Sequence, residues 1–286
     1  MKLPLSERIG IKFEIFTRQL TVPIRILPSF IIFGVPRCGT TSLYNYLVQH
    51  PSIIPALTKE INFFALNFLK GVSWYKMHFP IILEKYKIKK DFRDYFMTGE
   101  GSATSIYHPH ASSRIKKTIP NVKLIVMLRN PVDRALSQYF KIVKIGREKL
   151  SFEEAIKAEE GRIRDERKKM LQEENYYSLK IHRFSYLSGG KYIEYLKPWF
   201  DLFSKEQILI IKSEDLFSNP ETTVNNVTNF LKIPKWSLKN YPKYNYYKDQ
   251  SPMDSEIRER LREYYKPHNE RLYSLLGVSF DWNGSS

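Results

Sequence analysis

Residues 34 to 41, Gly34-Val35-Pro36-Arg37-Cys38-Gly39-Thr40-Thr41, carry the side chains that grip an oxyanion: two glycines five positions apart, a cation inside the turn and hydroxyls at its exit. A turn of this kind between a strand and a helix aims backbone N–H groups and the positive end of the helix dipole at a phosphate-like group. The glycine spacing is that of a nucleoside triphosphate loop, yet Thr40 stands where that loop needs the lysine that reaches the β and γ phosphates. The charge sits at Arg37 instead, which disfavours ATP hydrolysis. Cys38 raises another chemistry, a thiolate nucleophile in a loop closed by an arginine six residues on. That position holds Tyr44, so Cys38 reads as a small packing residue. His108 and His110 have no acidic or cysteine partner at ligand spacing, and no metal site is expected.

The elements that must position this loop follow from apolar patterning. Phe30-Ile31-Ile32-Phe33 is a short continuous apolar run, the pattern of a strand buried on both faces. After the loop, Leu43, Tyr46 and Leu47 have helical spacing and Pro51 closes the segment. Residues 122–128 and 207–211 predict two more buried strands, each leading to a helix start at Asn130-Pro131 and Asn219-Pro220. A weaker strand is expected at 95–98, delivering Glu100 to its carboxyl end. Alternating strands and helices imply an α/β fold, a P-loop-like central parallel sheet flanked by helices in a single domain. Residues 149–175 are densely charged and read as an exposed helix or mobile lid. Residues 255–265 and 269–276 predict two helical stretches broken near Pro267 and stopped by Gly277.

Composition sets the class of partner. The chain of 286 residues has 46 Lys and Arg against 30 Asp and Glu, a formal charge of +16, which favours an anionic ligand. Its one cysteine excludes an intrachain disulfide and points to a reducing compartment. No run approaches 18 apolar residues, and charges interrupt the N-terminus, so a cytoplasmic protein is expected. Residues 8–20 can form a basic amphipathic helix, packed on the domain or resting peripherally on a membrane. The division expected is an N-terminal helical extension over 1–29 and one catalytic domain over 30–286.

Five segments in chain order, GVPRCGTTSL, KEINFF, GVSWYKMHFP, LRNPVDRALSQY and REYYKPHNERLYSLLGVSFDW, together resemble the sulfotransferases that use 3′-phosphoadenosine-5′-phosphosulfate (PAPS), particularly their heparan-sulfate and carbohydrate branches. The resemblance implies that Arg37, Cys38, Gly39, Thr40, Thr41 and Ser42 cradle the 5′-phosphosulfate. It implies that Arg129 and Ser137, eight residues apart, hold the 3′-phosphate that distinguishes PAPS from ATP. Arg37 would also stabilise the departing oxygen. Glu100, in TGEGSATS, matches the family position where glutamate opens a Glu-Lys-Ser-Pro-like motif, and is expected to be the base that deprotonates the acceptor. Gly101 and Ala103 depart from that motif. Lys59 and Glu60 fall where the family places charges near the acceptor cleft, Lys248 corresponds to a late basic residue that reaches the nucleotide, and Tyr192 matches a recurrent aromatic.

The function implied is transfer of a sulfuryl group to a hydroxyl or amine of an acceptor, a carbohydrate by resemblance, with no nucleic acid as partner. Two rivals remain at this level: an ATP-dependent small-molecule kinase and a noncatalytic protein that binds an anionic polymer. The first lacks its loop lysine, and the second lacks any nucleic-acid motif among its scattered basic residues.

Overall fold

Four apolar residues and a glycine, with no polar side to turn toward water, fold as the central strand β1 (Phe30–Gly34), buried along its whole length in the computed structural model. The structure describes residues 17–244 and 253–284. Strands β2 (Gly99–Gly101), β3 (Lys123–Leu128) and β4 (Ile208–Lys212) join β1 in a parallel sheet with the order β2-β1-β3-β4. Around it, among the described residues, run α1 (Thr40–Leu47), α2 (Gly71–Lys76), α3 (Lys90–Arg93), α4 (Ala111–Thr118), α5 (Pro131–Lys144), α6 (Phe152–Gln172), α7 (Leu179–Phe184), α8 (Tyr192–Leu202), α9 (Ser213–Ser218), α10 (Pro220–Leu231) and α11 (Ser255–Leu276). This is the α/β single-domain architecture that the apolar runs predict.

The chain steps from β1 to β2 on one side and then crosses to β3 on the other, so the strand order reverses at β1. Such a reversal opens a crevice outside the carboxyl ends of the adjoining strands. Here those ends, Gly34 and Leu128, lead straight into the glycine loop and into Arg129. Dense packing keeps them rigid: the Phe33 ring stacks on Trp199 of α8 at 3.9 Å between centroids. On the other side, a Cβ on Gly99 would lie 2.3 Å from the Phe30 ring, so only glycine lets β2 pair this closely.

Two expectations are corrected, the place of β2 and the break at Pro267, and two others gain detail. The strand sought at 95–98 lies at Gly99–Gly101, and Glu100 sits inside it, opposite Ile31, rather than beyond its end. The backbone of Met97 is bonded instead to Ser52 and Ile54, which draws it away from β1. Of the two readings of residues 149–175, the helix is the one found: Ser151 and Glu154 form a capping box, and Ala155, Ile156, Ile163 and Met170 turn a buried stripe inward. The final helix runs unbroken through Pro267, because Leu261, Tyr265, Asn269 and Leu272 bury one face on both sides of it. The helix predicted at Asn219-Pro220 starts there, after the short helix α9. Residues 1–16 of the expected N-terminal extension lie outside the described residues. The part seen contains a 3-10 helix at Gln19–Ile24, and no described helix is long and apolar enough to cross a membrane.

Candidate active site

β1 ends in a turn that only particular residues tolerate. Gly39 has φ +87°, where a side chain is strained, and Arg37 takes φ +76° despite having one. Val35 N–H donates to Met127 O at 3.0 Å, tying the start of the turn to β3. From Thr40 onward the chain is α1, whose first N–H groups have no partner within the helix and face the crevice mouth. Cys38 is shut inside the turn, its Sγ 3.9 Å from the Tyr192 hydroxyl, and burial pushes the thiol up to about 11. At neutral pH it is a thiol, and it fills space.

The end of β3 meets this turn. The Arg37 guanidinium donates from Nε and Nη2 to Ser137 Oγ, at 3.1 and 3.0 Å, and Arg129 Nη1 lies 3.5 Å from Arg37 O. Ser137 stands on α5, which Asn130 caps by accepting from Val132 N–H at 3.0 Å and Pro131 pre-shapes. The Asn130 N–H is held by Glu214 Oε1 at 2.8 Å, and the Tyr192 hydroxyl donates to Arg129 O at 2.7 Å. These contacts fix the backbone from which Arg129 projects. Asp133, a possible partner for Arg129, pairs instead with Arg258 at 2.7 Å. Arg37, Arg129 and Ser137 therefore converge on the N-terminus of α1, an arrangement suited to a ligand with two phosphate-like groups. The Ser42 hydroxyl, in the first turn of α1, accepts from Tyr244 N–H at 3.1 Å. Lys248 lies outside the described residues.

A second charged cluster adjoins the first, with Lys141 between Arg37 and the Lys59–Glu60 pair. The turn after α1 carries Lys59 and Glu60, paired at 2.7 Å, with Glu60 at φ +59° and Asn62 at φ +52°. Lys141, one turn beyond Ser137 on α5, is held below the usual lysine range by burial, with Arg37 and Lys59 adding to the effect and Glu60 opposing it. His182 is pushed down to about 4 by burial and by Lys141 and Arg183, so its ring is neutral near pH 7.

Glu100, the carboxyl group singled out by its motif, lies within β2. It is 0% exposed, with the Tyr75 hydroxyl donating to Oε1 at 2.6 Å and the Ser102 hydroxyl to Oε2 at 2.8 Å. Burial raises its carboxyl to about 7. A general base must reach the proton it removes, and both oxygens of the buried Glu100 already accept from protein hydroxyls. The side chain of Glu60, by contrast, is 37% exposed. Lys141 was missed in the sequence, although its place four residues after Ser137 puts both on one helix face.

Residues 27–283 match the family described as Sulfotransferase domain. The chain is 30% identical to the membrane-associated sulfotransferase kil1 of Dictyostelium discoideum, over 90% of this chain and 66% of that protein. It is 27% identical to heparan sulfate glucosamine 3-O-sulfotransferase 3A1 of Mus musculus, over 90% of this chain and 65% of that protein. A solved sulfotransferase from Alicyclobacillus acidocaldarius superposes with a TM-score of 0.72 at 27% identity, covering 91% of this chain and 100% of that one. The chain thus spans just under two thirds of these two curated relatives.

Proposed function

The chain belongs to the sulfotransferase domain family, and from that premise we propose that it transfers a sulfuryl group from PAPS to a hydroxyl or amine of a carbohydrate acceptor. The observation that carries this reading is the convergence of Arg37, Arg129 and Ser137 on the N-terminus of α1. PAPS supplies an activated sulfuryl group whose leaving oxygen becomes part of a phosphate. Gly39, Thr40 and Thr41 hold that end through helix N–H groups, with Cys38 shaping the wall and Arg37 placed to neutralise the charge that grows on the departing oxygen. Arg129 and Ser137 take the 3′-phosphate, and Lys248 remains a candidate for the nucleotide.

For the base we favour Glu60 over Glu100. Glu60 is accessible on the turn that borders Lys141, whereas Glu100 would have to break two buried hydrogen bonds to reach an acceptor. In the step, Glu60 takes the acceptor proton as the acceptor oxygen or nitrogen bonds to sulfur. The bond from sulfur to the bridging oxygen breaks, and adenosine 3′,5′-bisphosphate leaves with that electron pair. A carbohydrate acceptor agrees with a relative whose name specifies heparan sulfate glucosamine. Lys59, Lys141 and the excess of positive charge suit an acidic glycan. Peripheral contact of the basic N-terminus with a membrane, in a cytoplasmic setting, stays part of the proposal.

The test is transfer of label from radiolabelled PAPS to a panel of desulfated glycosaminoglycans and neutral glycans, by wild type, Glu60→Gln and Arg37→Ala. Incorporation by wild type that both variants lose is expected. Failure of every acceptor, combined with tighter binding of ATP with magnesium than of adenosine 3′,5′-bisphosphate, would restore the kinase reading.

A further inference from the structure

Glu100 is a wholly buried carboxyl group that the transfer step leaves without a task. Its neighbours form a continuous chain of hydrogen bonds toward the turn that does have one. The Ser102 hydroxyl has a single proton, and gives it to Glu100 Oε2 at 2.8 Å. Its lone pair is thereby turned toward Asn62 N–H, which donates to it at 2.9 Å. The Asn62 side chain extends the chain both ways: Nδ2 donates to Glu60 O at 2.9 Å, and Oδ1 accepts from the Thr104 hydroxyl at 2.8 Å. Glu60 N–H completes the ring by donating to Gly101 O at 3.1 Å. Two non-glycine residues of this turn sit at positive φ, a conformation that persists only where the surroundings enforce it. On its far side, Glu100 is pinned by Tyr75, whose ring stacks on Phe63 at 4.4 Å between centroids.

We propose that Glu100 is a positioning residue: by orienting the Ser102 hydroxyl it locks the left-handed turn at residues 59–62 and so holds Lys59 and Glu60 at the crevice. The proposal rests on the assignment of Glu60 as base. Its chemistry is directional. Above about pH 7, where the exchange and transfer measurements are made, the group is a carboxylate that offers an acceptor to both Tyr75 and Ser102. A glutamine offers one acceptor and one N–H donor, so one hydroxyl must turn away, and a Ser102 that turns can no longer receive Asn62 N–H.

The experiment combines two readouts on the whole chain. Hydrogen exchange followed by mass spectrometry over residues 57–66 reports the turn without any acceptor, and labelled PAPS with desulfated heparan sulfate reports transfer. For Glu100→Gln, exchange in that peptide is expected to rise at least tenfold while β1, β3 and α5 stay protected. kcat is expected to fall tenfold or more, with the Kd for adenosine 3′,5′-bisphosphate unchanged. Ser102→Ala cuts the same link without touching the carboxyl, so it is expected to reproduce both effects, and the double variant to be no worse than either single one. Should Glu100→Gln fail to fold, Ser102→Ala carries the test alone. Unchanged exchange at 57–66 in the folded variants, or losses in kcat that multiply in the double variant, overturns the proposal. A Glu60→Gln variant with full activity removes the base assignment while leaving the exchange result standing, so the two failures are distinguishable.

Discussion

At one end of the crevice Arg37, Arg129 and Ser137 hang from the carboxyl ends of β1 and β3 and from a capped helix, whereas at the other end Lys59 and Glu60 ride on an irregular turn held by side-chain hydrogen bonds. The first end is anchored by backbone in regular elements, where the donor has to be gripped in one fixed pose. The second depends on a few hydroxyl and amide groups. On the proposed reading, the sheet holds the donor side while contacts around Ser102 and Asn62 hold the acceptor side.

If the two ends are separable in this way, variants should divide cleanly between them. The largest effect is expected from Glu60→Gln, which removes the base and should lower kcat by roughly 10²–10⁴-fold, with donor affinity unchanged in calorimetry; a matching loss of donor affinity would erase the division. Arg37→Ala is expected to cost roughly 10²–10³-fold in kcat/KM for PAPS, measured in initial-rate assays, while exchange at residues 57–66 stays as in wild type.

Stability sharpens the comparison next. Burial lifts the Glu100 carboxyl from 4.5 to about 7, so the folded protein keeps a proton that the unfolded chain has released between those values. Stability contributed by the protonated group is complete below pH 4.5 and is lost as pH rises through about 7. Urea denaturation at pH 5 and pH 8 should therefore show Glu100→Gln gaining relative to wild type at the higher pH, by up to about 3 kcal/mol. A relative gain at the lower pH contradicts the buried, proton-holding state. The smallest effect is expected from Cys38→Ser: a loss of about 1 kcal/mol in stability, read by thermal denaturation, with transfer retained.

The turn at residues 34–41 and the strands that carry it were legible because their signals are local. The apolar run before Gly34, the residues Gly39 and Thr40, and Asn130-Pro131 each state a backbone conformation within a few residues, and the fold follows those statements. The proposed division between Glu60 and Glu100 was not, because Glu100 is closed off by hydroxyls, one of them from distant Tyr75, in a contact that no periodicity encodes. A strand of three residues is likewise too short to show alternation, which is why β2 was placed a few positions early. Pro267 misled for a related reason: its local cost is overruled by packing along Leu261, Tyr265 and Leu272.

The most direct test of the account is whether the cationic turn and the strand-end arginine hold the two phosphates of one nucleotide. Calorimetric titration of wild type and Arg129→Ala with adenosine 3′,5′-bisphosphate and with adenosine 5′-monophosphate decides it. The account predicts that wild type binds the bisphosphate at least about tenfold more tightly, and that Arg129→Ala abolishes this preference while still binding the monophosphate. Equal affinity of wild type for both nucleotides, or a preference that survives in Arg129→Ala, would contradict it.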